Sequence, residues 1–274
     1  QNQILIPLQL SGQHSPLFCV HAVDGQLLAF NELANSLADH CPVYAFQSPS
    51  DNDAPSTIET MATHYIQALK LIKPEGPYQL AGYSFGGLLA FEICKQLIDQ
   101  GDVIEQLILI DSLSPALIHN DELKELSQQQ NHGLKELINM LQKTLPIDAE
   151  KLLASMADQS DEEQLSQMIN VIQKTGISVE KDDIQRYYQI FQNNVNAMQN
   201  YHPDATLEIN TLLIKCNHEK PENIDSSRFN TLGWDQYISG KINRHEVKAD
   251  HFNLMEQPQL AEWSHLILQY QSVE

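Results

Sequence analysis

Gly82-Tyr83-Ser84-Phe85-Gly86-Gly87 is a G-x-S-x-G motif set between a short apolar run and an amphipathic stretch. Before it, Tyr78-Gln79-Leu80-Ala81 reads as a strand; after it, Leu88, Phe91, Cys94, Leu97 and Ile98 recur at helical spacing until Gly101. The serine is therefore expected on a sharp strand-to-helix turn. Such a turn demands tight backbone angles and close approach of strand and helix, so glycines flank the serine, and it lifts the hydroxyl clear of the sheet.

Working outward, Ile4-Leu5-Ile6, Leu17-Phe18-Cys19-Val20 and Val43-Tyr44-Ala45-Phe46 read as strands, with helices expected over 27–38 and 56–72, the latter capped by Ser56 or Thr57. Leu107-Ile108-Leu109-Ile110 is an unbroken apolar run of the kind a strand covered on both faces shows. Strands alternating with helices predict an α/β fold with a mostly parallel central sheet flanked by helices. The alternation stops between about 113 and 204, where helical patterning covers 123–130, 134–141, 149–156, 162–174 and 182–201 without a convincing strand. That stretch is expected to be an all-helical insertion in a single domain spanning 1–274. Strands resume at 207–215 and 242–247, and a helix over 259–269 closes the chain.

The 274 residues suffice for one domain with a sizeable core. A net charge of −20 excludes nucleic acid or an anionic membrane as the main partner, since either needs a basic face. Lys215, Lys220, Arg228, Lys241, Arg244 and Lys248 crowd the C-terminal third, as a solvated, salt-bridged surface or as a local attraction for an acidic partner. Cys19, Cys41, Cys94 and Cys216 are scattered and read as free thiols of a reducing compartment. With no bilayer-length apolar run and no signal-peptide profile, a cytoplasmic location is expected. A chain opening on Gln1 rather than Met reads as a segment of a longer polypeptide or as a processed one.

A serine hydroxyl is a weak nucleophile at neutral pH, so Ser84 needs a base and an acid to orient that base. In α/β-hydrolases the chain order is serine, acid, histidine. Asp111 directly follows the 107–110 strand, and His251 lies between the last strand and the last helix. Glu219, after the penultimate strand, competes for the acid's place, while Asp250 adjoins His251 too closely in sequence to face it. Asp111 has a second, weaker reading as a helix N-cap or turn residue. Among the other histidines, His21 and His218 read as structural. The backbone N–H of Phe85 is one donor for a developing oxyanion, and the loop His21-Ala22-Val23-Asp24-Gly25 offers the N–H of Val23 as the second.

Taken together these stretches resemble the thioesterase domains that end nonribosomal peptide synthetases and polyketide synthases. The resemblance rests on residues 17–25, on Gly76-Pro77-Tyr78 through Gly87, on Leu109-Ile110-Asp111-Ser112 and on Asp250-His251-Phe252-Asn253-Leu254-Met255. It implies the α/β-hydrolase fold, Asp111 rather than Glu219 as acid, and a lid role for the helical insertion. It also implies a substrate carried on the phosphopantetheine arm of an acyl or peptidyl carrier protein, with release by hydrolysis or macrocyclisation and no metal or redox cofactor. Asp24 stands where the family more often has glycine, and Ala249 replaces a glycine common before the histidine. An editing thioesterase, a small-molecule esterase and a catalytically silent binding module are the competing readings.

Overall fold

Alternate residues of the central strands enter two different cores, and that alternation builds the molecule in layers. The computed structural model describes residues 4–49, 54–119, 138, 146–156, 159–175, 181–217 and 225–269. Its strands are β1 (Leu5–Gln9), β2 (Leu17–Val20), β3 (Val43–Phe46), β4 (Tyr78–Tyr83), β5 (Ile104–Ile110), β6 (Thr211–Cys216) and β7 (Ile242–Val247). They form one seven-stranded sheet in the order β1-β3-β2-β4-β5-β6-β7. Phe18, Val20, Leu107, Leu109 and Leu213 face one core with Met61, Tyr65, Leu88 and Phe91. Leu17, Cys19, Ile108, Ile110 and Leu212 face the other with Leu33, Leu260 and Trp263. Helices therefore cover both faces, as the apolar 107–110 run demands. This is the α/β-hydrolase fold.

All pairings are parallel except β1 with β3, which is antiparallel. β1 is an edge strand, where Pro7 withholds no hydrogen bond from a second neighbour. It runs on to Gln9, beyond the apolar Ile4-Leu5-Ile6 that announced it.

On one face lie α2 (Ile58–Ile72), capped by Thr57, and α3 (Phe85–Asp99). The helix expected over 27–38 is instead a 3₁₀ turn, Leu28–Phe30, followed by α1 (Asn31–Ser36). Between β5 and β6 the described residues contain α4 (Pro115–Ile118), α5 (Ala149–Met156), α6 (Asp161–Lys174), α7 (Lys181–Gln199) and no strand. The helices expected over 123–130 and 134–141 fall almost wholly outside the described residues. Leu152, Met156, Met168, Ile172, Ile184 and Tyr188 give the insertion a core of its own. The second half of α7 leaves that core, since Phe191 and Ala197 join the core beneath the sheet.

Toward the C-terminus, α8 (Ser226–Asn230) lies between β6 and β7. The strand expected from 207 begins at Thr211, because Leu207 forms only an isolated bridge with Ile238. The closing helix is two pieces, α9 (Gln259–Trp263) and α10 (Leu266–Gln269). Between them the i→i−4 bond from Ser264 N–H to Leu260 gives way to i→i−3 bonds such as Ile267 N–H to Ser264. The run of basic residues is not one surface: Lys215 is buried, 3.7 Å from Glu246 and 4.6 Å from the centre of the Phe229 ring. Lys220 lies outside the described residues. All four cysteines are buried thiols. Among the described residues no helix is long and apolar enough to cross a membrane.

Candidate active site

Ser84 sits one residue past β4 at φ 54°, ψ −123°, a backbone conformation that side-chain-bearing residues rarely adopt. Two constraints hold it there. Its N–H donates to the Ile110 carbonyl at 2.9 Å, which ties the turn to the end of β5. Gly82 and Gly86 allow the chain to fold back on itself: a Cβ on Gly82 would lie 2.2 Å from the Gly86 carbonyl oxygen, and one on Gly86 2.3 Å from that of Val20. Such contacts are closer than any side chain tolerates. The glycine spacing is thus the steric condition for the turn, as its sequence context predicts.

Asp111 follows β5 directly, with φ 44°. Its N–H donates to Ile214, and its Oδ1 accepts from the Cys216 N–H at 2.9 Å. Oδ2 is 2.7 Å from His251 Nδ1. The other imidazole nitrogen, Nε2, lies 3.0 Å from Ser84 Oγ. Oδ2 of the buried carboxylate accepts, so Nδ1 carries the proton and Nε2 is left as acceptor for the serine hydroxyl. The sequence-predicted Ser84, Asp111 and His251 therefore meet in one line of hydrogen bonds, assembled from the ends of β4 and β5 and the loop after β7.

Neighbouring residues hold that line. Tyr83 stacks on the His251 ring, with centroids 5.1 Å apart, and its hydroxyl donates to the His251 carbonyl. Asp250 turns away from the imidazole: its carboxylate accepts from the N–H groups of Phe252 and Asn253 at 2.9 and 3.0 Å and shapes the loop that presents His251. Burial, and next the charge of Asp111, push the Cys216 thiol above its ordinary range, so it stays protonated beside the carboxylate. Glu219 and His218 lie outside the described residues.

The loop that carries one expected oxyanion donor, Val23, begins beside the elbow that carries the other, Phe85. Gly86 packs on the carbonyls of Val20 and His21, so the loop after β2 abuts the first turn of α3. Among the described residues no carbonyl accepts from the N–H of Val23 or of Phe85. His21 is fully buried and stacks on Phe85, with centroids 5.9 Å apart. Its Nδ1 is 2.6 Å from the Ala22 carbonyl, which can only accept, so Nδ1 bears the proton and Nε2 accepts from the Tyr65 hydroxyl at 2.6 Å. Burial lowers this imidazole to about 4, outweighing the carbonyl, which pulls the other way. The neutral ring thereby orients the peptide that carries the Val23 N–H. His21 is buried and holds the loop that carries the expected Val23 donor. A further tie, from Asn194 on α7 to the Val23 carbonyl at 2.9 Å, spans 171 residues and left no local mark in the sequence.

A strained serine bonded to an imidazole, itself fixed by a buried carboxylate, can take an acyl group from an ester or thioester and pass it on. Among the described residues no group of three or more metal-ligating side chains could hold a metal ion.

A family model described as "Thioesterase domain" matches residues 15–268. Among curated proteins, atromentin synthetase of Tapinella panuoides is 26% identical over 260 residues, 92% of this chain and 26% of that protein. A dimodular nonribosomal peptide synthase of Bacillus subtilis is 27% identical over 273 residues, 94% of this chain and 10% of that protein. The chain thus spans about a quarter or less of these relatives. Among solved structures, the four-domain nonribosomal peptide synthetase AB3403 aligns with a TM-score of 0.81 at 25% identity, covering 99% of this chain and 20% of the other. The NocB thioesterase domain of the nocardicin cluster shares the fold, with a TM-score of 0.67 at 20% identity and 97% and 98% coverage.

Proposed function

The chain belongs to the thioesterase domain family, and from that premise we propose that it releases an acyl or peptidyl chain from the phosphopantetheine arm of a carrier protein. The observation that carries the reading is the Asp111–His251–Ser84 line, 2.7 and 3.0 Å long, at the strand ends of the sheet. The synthetase relatives, of which this chain spans one part, support a carrier domain as partner. The four buried thiols suit a reducing, cytoplasmic setting.

In this reading His251 Nε2 takes the proton of Ser84 as Oγ attacks the thioester carbonyl, and Asp111 stabilises the imidazolium. The N–H groups of Val23 and Phe85 donate to the oxyanion of the tetrahedral intermediate. Its collapse breaks the carbon–sulfur bond, and the pantetheine sulfur leaves with the proton from His251. Ser84 then holds the chain as an ester. Water, or a hydroxyl or amine of the chain itself, gives its proton to His251 and attacks that ester. A second oxyanion forms and collapses, returning the proton to Ser84 and freeing an acid, a lactone or a lactam.

Mass spectrometry of products from a carrier-bound peptidyl thioester ending in a free amine tests the proposal. The expected products are the linear acid or the lactam, formed by the wild-type protein and absent with Ser84→Ala. Strong preference for a simple ester over the carrier thioester would move the assignment to a small-molecule esterase. No labelling of Ser84 by a fluorophosphonate would make the chain a silent binding module.

A further inference from the structure

The helical insertion reaches the loop after β2 through the buried side chain of Asn194. Asn194, on the half of α7 that packs against the body, is fully buried, and its Nδ2 donates to the Val23 carbonyl at 2.9 Å. Its Oδ1 is also buried and has no hydrogen-bond partner among the described residues. An amide whose buried acceptor is unmet is a costly occupant of such a site, so an apolar residue would serve packing better. What the amide supplies is the bond to Val23.

That bond completes the fixing of a short loop. The peptide bearing the Val23 N–H is held through the Ala22 carbonyl, which accepts from His21 Nδ1 at 2.6 Å and from the Gly25 N–H at 3.0 Å. The next peptide is held through the Val23 carbonyl by Asn194. With both planes beside the Val23 Cα pinned, neither can rotate without breaking a bond. One turn earlier on α7, Ile190 closes the loop from above: a Cβ on Gly25 would lie 2.7 Å from Ile190 Cγ2. Asn193 anchors the same turn elsewhere, donating to Pro55 at 2.9 Å.

We propose that Asn194 is a positioning residue for the oxyanion hole, so that seating of α7 on the body sets the aim of the Val23 N–H. The proposal rests on the assignment of that N–H as an oxyanion donor. It makes the insertion part of the catalytic geometry even for substrates too small to touch a lid.

A short p-nitrophenyl ester is such a substrate, and steady-state kinetics with the full chain decide the matter. Asn194→Leu is expected to lower kcat on the order of 10- to 100-fold with KM unchanged, the scale of a misaimed donor. Asn194→Asp adds a readout that a purely structural role would not produce. A protonated carboxyl can still donate to the Val23 carbonyl, whereas the carboxylate repels it, and burial raises the carboxyl's pKa. The variant should therefore be active at low pH and lose kcat as pH rises, a limb absent from the wild type. This profile decides the question even where Asn194→Leu does not fold. Wild-type kcat in Asn194→Leu, or no falling limb in Asn194→Asp, would overturn the proposal. Ser84→Ala separates the two levels: full activity there overturns the functional assignment, whereas an inactive Ser84→Ala beside a fully active Asn194→Leu overturns only the role of Asn194.

Discussion

The β4–α3 elbow and the α5–α7 insertion both bury apolar side chains, yet they are held together by different means. At the elbow, backbone meets backbone: all of β4 is buried, and Gly82 and Gly86 approach main-chain atoms that have no rotamer to yield. In the insertion, side chains such as Met156, Met168 and Ile172 meet one another, and each can shift a little. A rigid site grows from the first kind of contact. The second kind holds the insertion to itself, and among the described residues α7 ties it to the body. The elbow is therefore intolerant of change everywhere, the insertion only where it reaches the site.

The largest effect expected on the elbow side comes from Asp111→Asn. An amide can bring its NH₂ to His251 Nδ1, which forces the proton onto Nε2 and blocks acceptance from Ser84. A fall in kcat of about 10⁴-fold is expected, with the fold retained. Glu219→Gln should stay within a few-fold of the wild type. Turnover of a short thioester by the two variants checks this, and the opposite ranking would move the acid to Glu219.

Next in size is a paired test of tolerance. Gly86→Ala drives a Cβ into the Val20 and His21 carbonyls, at 2.3 and 2.5 Å, and should destabilise the protein by about 3 kcal/mol or more. Met156→Ala leaves a cavity in the insertion's own core, with a local cost of about 2–4 kcal/mol. Hydrogen exchange should show lost protection in α5 and α6 with β4 and β5 unchanged. Equal loss across the sheet would show that the two regions unfold as one.

The contrast also explains what could be read in the sequence. The elbow, β5, β7 and α5 were legible because each is specified by neighbours in the chain: Gly82 and Gly86 around Ser84, the apolar 107–110 run, the spacing of Leu152 and Met156. Ser84, Asp111 and His251 could be named because each follows a strand. The single helix expected over 27–38 and the strand start at 207 were misplaced, since ends depend on tertiary pairing such as the Leu207–Ile238 bridge. The contacts that tune the site were not legible. Tyr65 reaches His21 across 44 residues, and Asn194 reaches Val23 across 171, with no periodicity to announce either.

A pH titration sharpens the comparison, because the buried switchable group lies on the elbow side. His21 titrates near 4 in the folded protein against an ordinary 6.5. The unfolded chain therefore binds a proton that the folded one refuses between these values. The stability held above pH 6.5 falls as pH drops toward 4, by about 3 kcal/mol in all for this 2.5-unit gap. Denaturant midpoints for the wild type and His21→Gln across this range should show the acid-induced decline flattened in the variant. An identical slope in both would mean that His21 does not carry it.

The smallest effect sets the same device in the two regions. Thr57 caps α2 beneath the sheet, exchanging hydrogen bonds of 3.2 Å with Thr60 in both directions. Ser160 caps α6 in the insertion, accepting from the Glu163 N–H at 3.4 Å while its own N–H donates to the Glu163 carboxylate at 2.8 Å. Removing either hydroxyl by substitution to Ala leaves one helix-terminal N–H without its partner, at a cost of about 1 kcal/mol. The energies match, but the units that register them differ. α2 packs into the core shared with β2, β4 and β5, so Thr57→Ala should lower the global unfolding midpoint. Among the described residues the buried apolar side chains of α6 join the insertion's own core, so Ser160→Ala should speed amide exchange in α6 and leave the global midpoint unchanged. A lowered global midpoint in Ser160→Ala would mean that the insertion unfolds with the sheet, and α7 would then transmit stability as well as position.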